Sequence, residues 1–262
     1  MNSIIVLPTY DEAGNITALV HRILELQPTF QTIIVDDNSP DGTGEIADSL
    51  AGEDPRILVI HRPAKAGLGT AYVEGFKMAL ASEADLIFEM DADFSHDPMY
   101  LGDFLKAAEN ADLVIGSRCA NGVRVDGWEF RRLLLSKFAN IFVSSVMLKP
   151  IWDCTAGFRC YRRKVIETIG LDNIRSDGYA FQIEMTYLTY QHGFDVEEIP
   201  IIFRARKHGT SKISRDVARE AIWTTLRHHA PICQIIRRLL GLFGEHSENQ
   251  RDTTASTQKA VH

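Results

Sequence analysis

Strand-like and helix-like segments alternate through the first half of the chain, and that order limits the available folds more than any single motif. Short runs rich in β-branched and aromatic residues stand at 3–7, 32–35, 57–61, 86–89 and 113–116. Amphipathic stretches lie between them, around 16–26, 44–50, 70–81 and 101–108. A β-α-β-α order predicts a mostly parallel α/β sheet with helices on both faces, since each crossover lays a helix against the sheet. The carboxyl ends of the strands then share one rim, and motifs far apart in sequence converge there.

The second half is less regular. A helix is expected over 130–147, stopped by Lys149-Pro150, because the residue before proline disfavours helical geometry. Another is expected over 180–190, ended by Gly193. The stretch 196–203 has strand composition, with Glu197, Glu198 and Pro200 marking a sheet edge. From Ser214 a helix runs towards His229 until Pro231 interrupts it. Beyond that, Ile232, Ile235, Ile236, Leu239, Leu240 and Phe243 form an apolar stripe with Arg237 and Arg238 off it. The expected division is a domain over 1–213, a helical segment over 214–244 that is either membrane-interfacial or packed on the domain, and a polar, disordered tail over 245–262.

A net charge of −7 argues against general nucleic-acid binding, which favours a basic footprint. No stretch reaches the roughly 20 apolar residues of a spanning helix; the nearest, 133–148, contains Lys137 and Asn140. A soluble or peripheral protein is expected. Cys119, Cys154, Cys160 and Cys233 have no C-x-x-C spacing and read as reduced thiols.

Several motifs fall at strand ends. Met90-Asp91-Ala92-Asp93-Phe94-Ser95-His96 follows the apolar run at 86–88. In extended backbone Asp91 and Asp93 project to one side, as two hard oxygen donors suited to Mg²⁺ or Mn²⁺; the same acids equally suit a polar turn. In Leu7-Pro8-Thr9-Tyr10-Asp11-Glu12, Tyr10 can stack on a flat ring, and Glu12 can accept hydrogen bonds or simply favour a helix N-terminus. In Val35-Asp36-Asp37-Asn38-Ser39-Pro40-Asp41-Gly42 the adjacent acids point oppositely, so one easily faces the crevice, and Asp37 is the choice to reach a ribose or base. Asp41-Gly42 is turn chemistry. Lys65-Ala66-Gly67-Leu68-Gly69-Thr70 lacks the spacing of a nucleotide-hydrolase phosphate loop, and its glycines are expected to allow a tight approach of loop and helix.

Taken in order, these stretches resemble the family 2 inverting glycosyltransferases of GT-A fold, in the subgroup of dolichol-phosphate (polyprenol-phosphate) mannose synthases. The resemblance continues through Gly116-Ser117-Arg118, Gly127-Trp128, Thr155-Ala156-Gly157-Phe158-Arg159, Gly178-Tyr179-Ala180-Phe181-Gln182-Ile183-Glu184-Met185 and His208-Gly209-Thr210-Ser211-Lys212, covering about 3–213. It implies a Rossmann-like GT-A sheet, GDP-mannose as donor and a polyprenyl or dolichyl phosphate as acceptor. Pro8, Tyr10, Glu12, Val35 and Asp37 would hold the guanosine end. Asp91, Ala92, Asp93, Arg118, Arg206 and Lys212 would surround the diphosphate, metal and sugar, with Asp93 the main metal ligand. Ser95 stands third in the expected metal set, where some relatives carry a metal-binding Gln; its shorter side chain leaves room for water to complete the shell.

Arg132 and Ser136, one helical turn apart beside Arg131, are expected to grip the acceptor phosphate, with Asp153 and Arg159 ordering the same pocket. Gln182 and Glu184 either position the sugar or support the loop at the metal. The basic stretch from Arg206 to Lys212 reads as a lid. Asp91, Asp93, Arg206 and Lys212 are thus the expected catalytic set. The acceptor implies a peripheral protein on the cytoplasmic face of a membrane, with a small membrane-anchoring subunit as a further partner. The alternative is a related transferase using UDP-glucose with a polyprenyl phosphate.

Overall fold

The computed structural model describes residues 1–120, 122, 125–126, 140, 144, 150–174 and 176–204. Its strands are β1 (Ser3–Thr9), β2 (Gln31–Asp36), β3 (Ile57–His61), β4 (Leu86–Glu89), β5 (Leu113–Ser117), β6 (Val125–Asp126), β7 (Arg159–Arg162), β8 (Val196–Pro200) and β9 (Phe203–Arg204). Its helices are α1 (Ile16–Leu26), α2 (Thr43–Glu53), α3 (Leu68–Ala81), α4 (Leu101–Ala107), α5 (Arg163–Ile169) and α6 (Gly178–Gln191). Seven strands form one sheet in the order β3-β2-β1-β4-β7-β5-β8, and β6 pairs with β9 separately.

Within the sheet only β7 runs antiparallel, against both β4 and β5. From β1 the chain passes to β2 and β3 on one side and to β4 on the other. Loops leaving β1 and β4 therefore diverge, and a crevice opens at their carboxyl ends.

Strand alternation distributes the core over both faces. Ile4 and Val6 of β1 enter one apolar cluster with Tyr72 and Phe76 of α3, Val165 of α5 and Phe181 of α6. Ile5 and Leu7 enter the other with Leu19 of α1, Leu50 of α2 and Phe104 of α4. Helix α3 lies so close to the sheet that a Cβ on Gly75 would come within 2.3 Å of Val6 Cγ1.

The five expected strands and four crossover helices of the first half are present, as is the helix expected from residue 180. Two features differ from the sequence expectations. No strand was expected at 159–162, yet β7 fills the middle of the sheet. The single strand expected over 196–203 is divided: β8 ends at Pro200, which lacks an amide for a further ladder bond, and Phe203–Arg204 pairs with β6 instead. Edge placement of β8 agrees with expectation. Of the helix expected over 130–147, Asn140 and Ser144 are described and are helical. The segments 214–244 and 245–262, with Cys233, lie outside the described residues.

Candidate active site

The loops after β1, β2 and β3 build one half of the rim. Asp37 follows β2, and its Oδ1 is 2.9 Å from Nη1 of Arg62, which follows β3; both side chains are buried. Arg62 also donates to the Gly67 carbonyl at 3.2 Å and to Thr70 Oγ1 at 2.6 Å, so one guanidinium ties the loop after β2 to the connection between β3 and α3. Burial raises the Asp37 carboxyl above its ordinary range, against the pull of Arg62 and the Ala66 amide. Asp36 points the other way and is used structurally, accepting from Thr9 Oγ1, the Ser39 amide and Ser39 Oγ.

The side chain of Tyr10 stands at the outer edge, with Lys65 Nζ 3.7 Å from its ring centroid. Glu12 accepts from Asn15 Nδ2 at 2.7 Å, and its carbonyl takes the Asn15 and Ile16 amides, so it fastens the entry to α1. Val35 and Ala92 have side chains in the two core clusters, which limits them to main-chain contact with a donor. The glycine stretch holds a structural joint. A Cβ on Gly67 (φ +107°) would meet Asp177 Oδ2 at 2.5 Å, and one on Gly69 would meet the Ser176 carbonyl at 2.7 Å. Asp177 Oδ1 takes the Gly69 amide at 2.6 Å, so a carboxylate already occupies the start of α3.

Across the crevice, the loop after β4 turns through Phe94, whose φ of +60° is unusual for so large a residue. Asp93 Oδ1 accepts the Ser95 amide at 2.9 Å. His96 is buried between the rings of Phe158 and Phe203. Its Nδ1 accepts the Asp91 amide at 3.2 Å and lies 3.9 Å from Asp91 Oδ2. That hydrogen bond puts the neutral ring's proton on Nε2. The Ser95 hydroxyl is buried and makes no hydrogen bond.

This donor set suits a hard divalent cation. No group of three His, Cys, Asp or Glu side chains cages a metal among the described residues. Asp91 and Asp93 would supply two ligands, leaving other positions to phosphate oxygens and water, as Mg²⁺ prefers with nucleotides.

Beneath the loop lies a buried polar network. Arg159 donates to the carbonyls of Ala156, Cys154 and Gln182 and to Thr186 Oγ1, and stands 3.4 Å from Glu89. It thereby fixes the turn that carries Gly157. Burial pushes the Glu89 carboxyl up to about 8, with Arg159 pulling it back. Glu184 accepts the Ser176 amide at 3.1 Å.

Arg118, expected at the donor, and Asp153, expected at the acceptor phosphate, are brought together in the structure. They form a buried two-pronged pair at 2.6 Å, and Arg118 also reaches Thr155 Oγ1 at 2.8 Å. A fully buried carboxylate so committed cannot itself take a phosphate, so Asp153 orders its surroundings rather than touching acceptor. Arg131, Arg132, Ser136, Arg206 and Lys212 lie outside the described residues.

Sequence reasoning assigned no role to Arg62 or His96. Arg62 directly follows β3, the strand-end position that singled out the acids, and His96 closes the Asp91 stretch.

The same architecture recurs in known proteins. Glycosyl transferase family 2 matches residues 4–170. The chain is 45% identical over 223 residues to a polyprenol monophosphomannose synthase of Mycolicibacterium smegmatis, covering 84% of each. It is 40% identical over 227 residues to an undecaprenyl-phosphate mannosyltransferase of Micrococcus luteus, covering 87% of this chain and 93% of that one. Among solved structures, glucosyl-3-phosphoglycerate synthase of Mycobacterium tuberculosis with Mn²⁺, UDP-glucose and phosphoglyceric acid gives a TM-score of 0.66. It is 18% identical, covering 87% of this chain and 79% of that one, and shares the GT-A sheet. The family match and the extended identity agree: the chain belongs to glycosyl transferase family 2.

Proposed function

We propose that the chain transfers mannose from GDP-mannose to a polyprenyl or dolichyl monophosphate with inversion, giving polyprenyl-phosphate-mannose and GDP. The observation that carries this is its 45% identity, over 84% of the chain, to a polyprenol monophosphomannose synthase. The geometry supports the same assignment. Tyr10, Asp37 and the guanosine-side loops stand on one bank of the crevice, and Asp91 and Asp93 stand on the other.

In the reaction an acceptor phosphate oxygen bonds to the anomeric carbon while that carbon's bond to the diphosphate oxygen breaks. The acceptor is already anionic, so no proton must be removed and no general base is needed. Consistent with this, His96 is packed between two aromatic rings with Nδ1 already accepting a backbone amide. Asp91 and Asp93 would hold Mg²⁺ or Mn²⁺, which when bound offsets the charge gathering on the departing diphosphate. Arg206 and Lys212 are assigned to that charge as well. In support, the Arg204 amide donates to the Ser95 carbonyl at 3.2 Å, so the segment leading to them leaves from the acidic loop. Arg131, Arg132 and Ser136 are assigned to the acceptor phosphate.

A polyprenyl acceptor requires work at a membrane surface, on its cytoplasmic face in this proposal, with a small anchoring subunit as a further partner. No helix among the described residues is long and apolar enough to cross a membrane. The stripe from Ile232 to Phe243 would supply an interfacial face. A chain truncated after Ser214 is expected to lose flotation with anionic vesicles; undiminished flotation rules the segment out as the anchor. The central test is transfer from labelled GDP-mannose to a short polyprenyl phosphate, with and without Mn²⁺. Transfer from UDP-glucose in its place would overturn the donor assignment.

A further inference from the structure

Large apolar side chains left in water are grouped on this molecule rather than scattered. Apart from Met1 at the chain start, the exposed ones among the described residues are Tyr10, Leu68, Met99, Trp152 and Ile202. All of these stand towards the carboxyl rim of the sheet, and they fall into two sets. Tyr10 and Leu68 belong to the nucleotide bank, where Lys65 covers the Tyr10 ring and Leu68 opens α3. Met99, Trp152 and Ile202 are 60%, 63% and 44% exposed and gather at the opposite end, around β8. Neither the fold nor the acidic loop gives this second set a task, and grouped exposed apolar residues mark a contact surface.

The backbone behind these side chains is pinned. The Trp152 and Asp153 amides donate to the two carboxylate oxygens of Glu198 on β8, at 2.7 and 2.8 Å. Asp153 in turn pairs with Arg118 just past the end of β5. Ile202 follows β8, and its amide donates to Tyr100 Oη at 3.1 Å, which sets the turn carrying Met99 beside it. Close to Ile202, Arg204 and Asp97 approach to 3.4 Å, so that acid is offset where an anionic surface would meet it. Tryptophan, with a broad apolar ring and one N–H donor, favours the boundary between hydrocarbon and water.

We propose that Met99, Trp152 and Ile202 rest in the headgroup layer of a lipid bilayer, setting the β8 end of the rim against the membrane and leaving the nucleotide end in water. This rests on the polyprenyl-phosphate acceptor proposed above, and adds a face of the catalytic domain itself to the C-terminal stripe. A nucleotide sugar is carried in water and a polyprenyl phosphate in the bilayer, so a site that joins them has to open to both phases. The exposed apolar groups distinguish the two ends. At the nucleotide end the Tyr10 ring already carries the ammonium of Lys65, whereas the set around β8 offers bare apolar surface.

Two measurements on the full chain test this. In the first, vesicles of phosphatidylcholine and phosphatidylglycerol with brominated acyl chains are added to wild type and to Trp152→Phe. Wild-type fluorescence is expected to show a component that shifts to shorter wavelength and is quenched, and that Trp152→Phe lacks. No such component overturns the proposal. So does one that is already shifted without vesicles and stays unquenched, which means that another segment of the chain covers Trp152, or one that follows protein concentration alone, which means a second copy does. In the second measurement, the triple variant Met99→Ser, Trp152→Ser, Ile202→Ser is assayed with polyprenyl phosphate in vesicles and with a short acceptor in free solution. Transfer to the vesicle-borne acceptor is expected to fall about tenfold or more, the scale of withdrawing one large apolar side chain from a nonpolar phase, while transfer to the soluble acceptor stays at the wild-type rate. Unchanged activity, or an equal loss with both acceptors, overturns the proposal; if the triple variant does not fold, the quenching measurement decides alone. A wild-type chain that uses neither acceptor overturns the acceptor assignment instead, and does so before any substitution is made.

Discussion

Single residues at this rim divide between those that meet a ligand and those that shape the loops. Asp93→Ala removes one of the two carboxylates available to a cation, together with the part-buried loop hydrogen bond to the Ser95 amide. Mn²⁺-dependent transfer is expected to fall at least about a hundredfold, on the scale of removing a group that stabilises developing charge, with an unchanged far-ultraviolet circular dichroism spectrum. Substantial retained turnover sinks the metal assignment. Asp37 is a different case. Asp37→Ala removes the nearer carboxylate from the buried guanidinium of Arg62 and leaves it facing the half-exposed Glu74, 3.5 Å away. The expected cost is about 3 kcal/mol in urea unfolding, together with weaker donor binding as a raised KM rather than a lowered kcat. Both acids stand out in the sequence as strand-end carboxylates. That Asp37 works through Arg62 does not, because the partner lies at the end of another strand.

At the scale of elements, α3 shows how composition and contact share the work. The glycines at 67 and 69, around its start, read as permitting close approach, and the contacts bear this out; Gly75 adds a close approach that the sequence did not signal. Gly75→Ala would normally favour a helix. Here the added methyl meets Val6 at 2.3 Å, in the middle of the sheet, so the helix must move outward or β1 must shift. The expected result is a loss of about 1–3 kcal/mol, measured as a lower urea midpoint with an unchanged m-value. A neutral or stabilising outcome would mean that α3 sits further from the sheet. Strand β7 is the opposite case, an element with little sequence signal. Arg-Cys-Tyr-Arg has four residues and two charges, and its place depends on Arg159 finding Glu89, Thr186 and three carbonyls within the fold.

Across the whole molecule, the buried Arg118–Asp153 pair joins the end of β5 to the segment before β7. Burial alone would raise the Asp153 carboxyl, but the charge and hydrogen bonds of Arg118 outweigh it and hold the group below its usual range. A lowered folded-state pKa means that the unfolded chain takes up protons first as pH falls. Stability from this pair is therefore complete at neutral pH and drains away below about pH 4. Asp153→Asn is expected to be less stable than wild type at pH 7 and to show a flatter decline below about pH 4 in urea titrations; parallel curves would count against the pair as an acid-sensitive contact. The alternation of strands and helices and the strand-end motifs are properties of sequence alone, because periodicity and crossover geometry are local. They determined the parallel sheet, its active rim and the acids upon it. Only the tertiary structure decided that β7 runs antiparallel through the sheet centre, that Arg62 rather than solvent meets Asp37, and that Arg118 and Asp153 satisfy each other. Each of these depends on side chains brought together from distant parts of the chain, where burial makes an unmatched charge or amide costly and sequence spacing gives no measure of distance.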